Sequence, residues 1–189
     1  RDFLVRELPD HAKLLPIGAP ALAEQLQMGT TFEVTDNPDD DVAAVVVGLD
    51  QAFTYERMNR AMQAIRKGAR YIATNADATL PVEDGVLPGA GSVVAAIATA
   101  SSKQPTVIGK PETLMMTTAV AQLGASASKT VMIGDRLDTD ILAAARAGLT
   151  TALVLTGVTT REDLVGSEIV PDYVFTDLPA ITRELIGQN

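Results

Sequence analysis

The sequence predicts a mixed α/β fold built on a mostly parallel sheet with helices on both faces. Three observations predict it. Short apolar runs recur at 42–49, 71–74, 107–108, 131–133 and 151–155. Most of the stretches between them repeat apolar residues at helical spacing. Glycine or proline marks most of the junctions, as turns and helix ends require.

The elements follow in order. Leu14, Leu15 and Ile17 predict a strand ending at Gly18-Ala19-Pro20. A small helix through Leu22 and Leu26 comes next, then a strand at Phe32 and Val34. The run Asp36-Asn37-Pro38-Asp39-Asp40-Asp41 is a turn and a solvated loop. Residues 42–49 make a buried strand. Thr54 is placed to cap a helix whose apolar positions are Tyr55, Met58, Met62 and Ile65. Gly68 stops that helix, and its methionines are core filling. A strand at 71–74 leads into Asn75-Ala76-Asp77, a polar turn. Leu80-Pro81-Val82 and Val86-Leu87-Pro88 flank Asp84-Gly85, a hairpin signal. Gly89-Ala90-Gly91-Ser92 is a tight entry to an Ala-rich helix rather than a phosphate loop.

After a connector at 101–105 the β-α-β alternation becomes tidier. Val107-Ile108 is a strand, and Pro111 begins a helix at the position where its missing N–H costs nothing. Met115, Ala119 and Leu123 face inward, and Gly124 ends the helix. A strand at 131–133 precedes a helix to Arg146, closed by Gly148. Residues 151–155 are a third strand, Thr160-Arg161-Glu162-Asp163 resembles a capping box, 173–175 is a last strand and 180–186 a last helix.

Composition excludes several functions. The 189 residues include no cysteine, so disulfides and thiolate metal sites are absent. The single histidine, His11, lies in a polar connector and is a surface residue. A net charge of −9 repels phosphate backbones, which excludes nucleic acid as a general partner. No apolar run approaches the ~18 residues of a membrane span, and no signal peptide is expected. Arg1 to Leu8 has the pattern of a helix already under way, so the sequence is expected to start inside a gene product.

Residues 131–140, V-M-I-G-D-R-L-D-T-D, organise the rest. Val131, Met132 and Ile133 are expected to be buried on both faces. Gly134 permits a sharp turn, and Asp135 stands at the strand's carboxyl end. Asp138 and Asp140 follow within one turn of helix. Acids in a first turn suit the helix dipole. Gly-Asp at a strand end with further acids at plus three and plus five points instead to a divalent metal with hard oxygen ligands, Mg2+. Asp135 is the ligand, Asp138 a helix-start acid, and Asp140 orients a neighbouring group. In a parallel sheet, ligands bind at the carboxyl ends of strands. Gly109-Lys110, Gly134-Asp135 and Thr156-Gly157 would deliver a lysine, an acid cluster and a hydroxyl to one rim. Lys110 at a helix start is unfavourable by dipole logic, which favours a role with phosphate.

Gly109-Lys110-Pro111-Glu112, Gly134-Asp135-Arg136-Leu137-Asp138-Thr139-Asp140 and Leu155-Thr156-Gly157-Val158 together resemble the haloacid dehalogenase (HAD) superfamily. The branch they resemble is the NagD-type, para-nitrophenyl phosphatase-like group with a large α/β cap. Ala73-Thr74-Asn75-Ala76-Asp77 and Pro88-Gly89-Ala90-Gly91-Ser92 resemble that branch's cap. The resemblance implies a Rossmann-like parallel-sheet core, incomplete here, with an inserted cap. It divides the chain into 1–11, the end of an N-terminal core part, 12–104, the cap, and 105–189, the C-terminal core part.

The resemblance also implies a cytoplasmic, Mg2+-dependent phosphatase of small phosphorylated metabolites that works through an aspartyl-phosphate. Lys110 would be the phosphate-binding lysine, Asp135 the metal ligand and Asp140 the acid that supports them, with Lys110 and Asp140 in the catalytic set. Asn75 and Asp77 would join Lys110 in substrate binding. Cap-to-cap homodimers are implied as an assembly. The family's nucleophile lies on a strand ending in Asp-x-Asp-Gly, and no such strand precedes residue 12. The 189 residues alone are therefore expected to be inactive, and the loss of central strands to expose apolar edges. Two rivals stand beside this reading. A receiver-like domain would be shorter and lack the insertion at 12–104. A catalytically inactive metabolite-binding or scaffold protein of the same fold would lack the nucleophile altogether.

Overall fold

The computed structural model describes residues 1–186. By internal contacts the chain divides into two units, Arg1–Ile108 and Gly109–Asn189.

The first unit runs α1 (Asp2–Glu7), β1 (Lys13–Ile17), α2 (Pro20–Gln27), β2 (Glu33–Val34), β3 (Val42–Val47), α3 (Tyr55–Lys67), β4 (Arg70–Ala73), β5 (Thr79–Val82), β6 (Gly85–Pro88), α4 (Ala90–Ser101) and β7 (Thr106–Val107). Five strands make a parallel sheet in the order β2-β1-β3-β4-β7. Successive side chains point to opposite faces, and here both faces are apolar. Leu15, Ile17, Val45, Val47, Tyr71 and Ala73 meet Ala61, Ile65, Val93 and Ile97 of α3 and α4. Leu14, Ala44, Val46 and Ile72 meet Leu4 of α1 and Leu26 of α2. Near-continuous apolar strands are what two covered faces require.

The signals for α3 work as expected. The Thr54 hydroxyl accepts from the Arg57 N–H at 3.2 Å, and Gly68 ends the helix in the left-handed region. β5 and β6 form the expected antiparallel hairpin, but Val82 pairs with Gly85, so the turn residues are Glu83 and Asp84. His11 is exposed.

β7 corrects the sequence reading. It was expected to begin the C-terminal sheet, yet it hydrogen-bonds parallel to β4. The cause is α4, which packs Val93, Val94 and Ile97 on α3 and the sheet. The chain leaving α4 returns beside β4, the usual crossover of a parallel sheet. The division between units accordingly falls at Ile108, beyond residue 104. α1 lies in the same unit, because Leu4 joins the core of β1 and β3.

The second unit holds α5 (Leu114–Gln122), β8 (Val131–Gly134), α6 (Leu142–Arg146), β9 (Thr150–Val154), β10 (Tyr173–Phe175) and α7 (Leu178–Ile186). Its three strands are parallel in the order β10-β9-β8. Met116, Ala143, Ala144 and Leu149 form one core cluster. Leu137, Ile141 and Leu153 form another.

Two expectations fail in this unit. α5 begins at Leu114, not at Pro111. The shift turns Met116 and Val120 inward, and leaves Met115 47% and Leu123 72% exposed. β8 is an edge strand with β9 as its hydrogen-bonded neighbour, so Val131 is 54% and Ile133 41% exposed, against the expected burial of both its faces and in line with the expected apolar edge.

Candidate active site

β8 ends at Gly134, and Asp135 follows at its carboxyl end. The chain then enters a π-helical turn, Leu137–Ile141, that runs into α6. The Arg136 carbonyl accepts from the Asp140 N–H at 3.0 Å and the Ile141 N–H at 3.2 Å. Single π turns of this kind concentrate at functional sites because they re-aim one side chain. Here the re-aimed side chain is Asp140. A Cβ on Gly134 would lie 2.3 Å from the Asp140 Cβ. Glycine is therefore the residue that lets Asp140 fold back against its own strand.

Asp140 is 4% exposed. A buried carboxylate is costly unless it is paired and fully hydrogen-bonded. Its Oδ1 accepts from the Lys110 Nζ at 2.5 Å. Its Oδ2 accepts from the backbone N–H groups of Asp135 and Arg136, each at 3.2 Å. The acid thus holds both the lysine and the main chain that carries Asp135. The Lys110 side chain remains 35% exposed.

Asp135 is half-buried. Its Oδ2 accepts from the Val158 N–H at 2.9 Å, and its carbonyl accepts from the Thr159 N–H at 3.0 Å. Gly157 lies against the carboxylate. A Cβ there would stand 2.0 Å from Oδ2. Asp138 is exposed.

The three acids of this turn take separate places. Among the described residues no group of three or more carboxylates or imidazoles is placed to hold an ion. The oxygens of Asp140 are taken up by Lys110 and two N–H groups. Of Asp135, Asp138 and Asp140, Asp135 is the carboxylate that could hold a metal ion. That fits Mg2+, which is commonly held by one or two carboxylates together with waters and substrate oxygens.

Lys110, Asp135 and Asp140 are brought together as the sequence reading expected. The hydroxyl in their network is not that of Thr156, which is exposed. It belongs to Thr159, buried and accepting from the Leu137 N–H at 3.2 Å. That contact joins residues 22 apart, and no local spacing announces it.

Asn75 and Asp77 lie in the first unit. The Asn75 amide donates to Asp77 Oδ2 at 2.6 Å, and the Thr74 hydroxyl donates to Asn75 Oδ1 at 2.9 Å. Gly89 and Gly91 press on this loop. A Cβ on Gly89 would lie 2.2 Å from the Asp77 carbonyl oxygen, and one on Gly91 2.4 Å from that of Ala76. The glycines are therefore a backbone-packing device, as the tight-entry reading held.

The family model described as HAD-hyrolase-like matches residues 107–181. An acid sugar phosphatase of Staphylococcus epidermidis is 39% identical over 184 residues, covering 97% of this chain and 70% of that protein. The glycerol phosphate phosphatase Rv1692 of Mycobacterium tuberculosis, solved in complex with magnesium, is 40% identical with a TM-score of 0.89. The match covers 95% of this chain, which spans 54% of the mycobacterial one. NagD of Escherichia coli K-12 is 32% identical with a TM-score of 0.82, over 93% of this chain and 67% of its own. Identity at this level over nearly the whole chain, together with the Lys110, Asp135 and Asp140 arrangement, places the protein: it belongs to the HAD-like hydrolases, in their NagD-type phosphatase branch.

Proposed function

We propose that these residues supply the phosphate-binding and metal-binding side of a Mg2+-dependent phosphatase acting on phosphate monoesters of small metabolites. The observation that carries the reading is the ion pair of Lys110 with buried Asp140, whose other oxygen holds the Asp135 N–H at the start of the same turn. The names of the staphylococcal and mycobacterial relatives support sugar and polyol phosphates as the substrate class.

The chemistry follows from charge. Two unit charges ~4 Å apart interact by about 4 kcal/mol at an effective dielectric near 20. A phosphate dianion beside aspartates is therefore rejected unless cations stand between. Lys110 is the resident cation, and Asp140 fixes where its ammonium points. Asp135 would hold Mg2+, which when bound shields phosphate charge and polarises the phosphoryl oxygens. Residues 12–104 would act as the cap, with Asn75 and Asp77 facing substrate. The aspartyl-phosphate step needs an acid nucleophile on an Asp-x-Asp strand. None of the residues assembled here takes that role, so the proposal has the 189 residues alone inactive.

The test is Mg2+-dependent hydrolysis of para-nitrophenyl phosphate and a panel of sugar phosphates. It is run on a protein that carries these residues together with an Asp-x-Asp strand, and on the 189 residues alone, verified by mass spectrometry. The first should turn over and lose activity as Asp135→Asn. Turnover that survives Asp135→Asn would remove Asp135 from the metal site. Turnover by the verified 189 residues would overturn the division of the active site.

A further inference from the structure

The loop after β9 is tied to the Asp135 turn at three points. The Val158 N–H donates to Asp135 Oδ2 at 2.9 Å. The Thr159 N–H donates to the Asp135 carbonyl at 3.0 Å. The Thr159 hydroxyl accepts from the Leu137 N–H at 3.2 Å. Thr159 thus grips the main chain on both sides of Arg136. Asp140 Oδ2 also accepts from the N–H groups of Asp135 and Arg136. Residues 135–137 are pinned by the two.

Burial makes this grip specific. Thr159 is 5% exposed, and a buried hydroxyl without a partner is costly. The Leu137 N–H is one of the first donors of a helical turn, which have no partner inside the helix. Each group answers the other. Gly157 completes the seat, since any side chain there would occupy the space of the Asp135 carboxylate.

We propose that Thr159 is a positioning residue for the Asp135 carboxylate as a Mg2+ ligand, with Gly157 as the gap that admits it. The inference rests on the phosphatase reading above and extends it to a loop to which that reading gives no task. The groups that orient a metal ligand commonly change metal affinity by 10–100-fold when removed.

The test uses the 189-residue chain with Mg2+ alone, titrated by calorimetry, and amide hydrogen exchange on the same samples. Thr159→Val should weaken Mg2+ binding about tenfold and speed exchange at Leu137 and Val158. Thr159→Ser keeps the hydroxyl and should retain both properties. Gly157→Ala should weaken Mg2+ binding while the Leu137 amide stays protected, because the Thr159 hydroxyl is intact. Should Thr159→Val unfold the chain, Gly157→Ala and Thr159→Ser carry the test. Unchanged Mg2+ affinity and unchanged Val158 exchange in both Thr159→Val and Gly157→Ala would overturn the inference. A wild-type chain that binds no Mg2+ would overturn the metal reading instead, and the exchange pattern would then decide the positioning claim by itself.

Discussion

The two units treat their strands differently. In Arg1–Ile108 the central strands β1, β3 and β4 bury both faces under helices. In Gly109–Asn189 the strand that carries the site, β8, exposes Val131 and Ile133. The first unit is ordered by apolar packing. The second orders its functional turn with a polar lattice: Lys110 on Asp140, Asp140 on two N–H groups, Thr159 on Leu137. Packing tolerates neighbours of many kinds if volume is kept. A lattice of directed hydrogen bonds does not, so the second unit fixes a few side chains at the cost of tolerance.

The largest effect that could break this comparison is a core deletion. Leu15→Ala in the first unit should cost about 2–5 kcal/mol in denaturant unfolding, because both transfer and cavity terms are lost. Val131→Ala, on the exposed edge of β8, should change stability by no more than about 0.5 kcal/mol. Equal costs at the two positions would erase the distinction.

A smaller effect sharpens it. Asp140→Ala should destabilise the second unit by about 1–3 kcal/mol, since it strands one ammonium and two amide donors. Its signature is local: amide exchange at Asp135 and Arg136 should accelerate, while the Leu15 and Val45 amides in the first unit do not change.

The smallest effect is a pH dependence. The Thr151 N–H and then its hydroxyl, both on Asp172 Oδ2 at 2.8 Å, hold the Asp172 carboxyl below the usual carboxylate range. A depressed folded value contributes stability above the unfolded value of ~3.9 that is lost as pH falls through the folded one. Asp172→Asn should therefore lower the melting temperature at pH 7 and converge on wild type in strong acid. A difference that persists unchanged in acid would remove Asp172 from the charge balance.

What the sequence made legible is local. The Thr54 cap and the Gly68 stop were readable because a cap and its helix are neighbours. Lys110, Asp135 and Asp140 were readable because residue type and spacing near a strand end declare them. The face of α5 was not. Its start depended on the turn after Lys110, and a three-residue shift exchanged Met115 for Met116. β7 was misassigned because two residues of apolar strand say nothing of which sheet will take them. Thr159 was missed because its partner lies 22 residues away, across β9. The exposure of β8 was unreadable from its own three apolar residues, since burial depends on which strands lie beside it.

On this reading the end of β8 is a seat for Mg2+ and phosphate. A crystal structure of the protein grown with Mg2+ and inorganic phosphate tests it most directly. The ion should lie on the Asp135 carboxylate, with a phosphate oxygen within hydrogen-bond reach of the Lys110 Nζ. An ion lodged instead at the acidic loop of Asp36, Asp39 and Asp40, with phosphate bound away from Lys110, would contradict it.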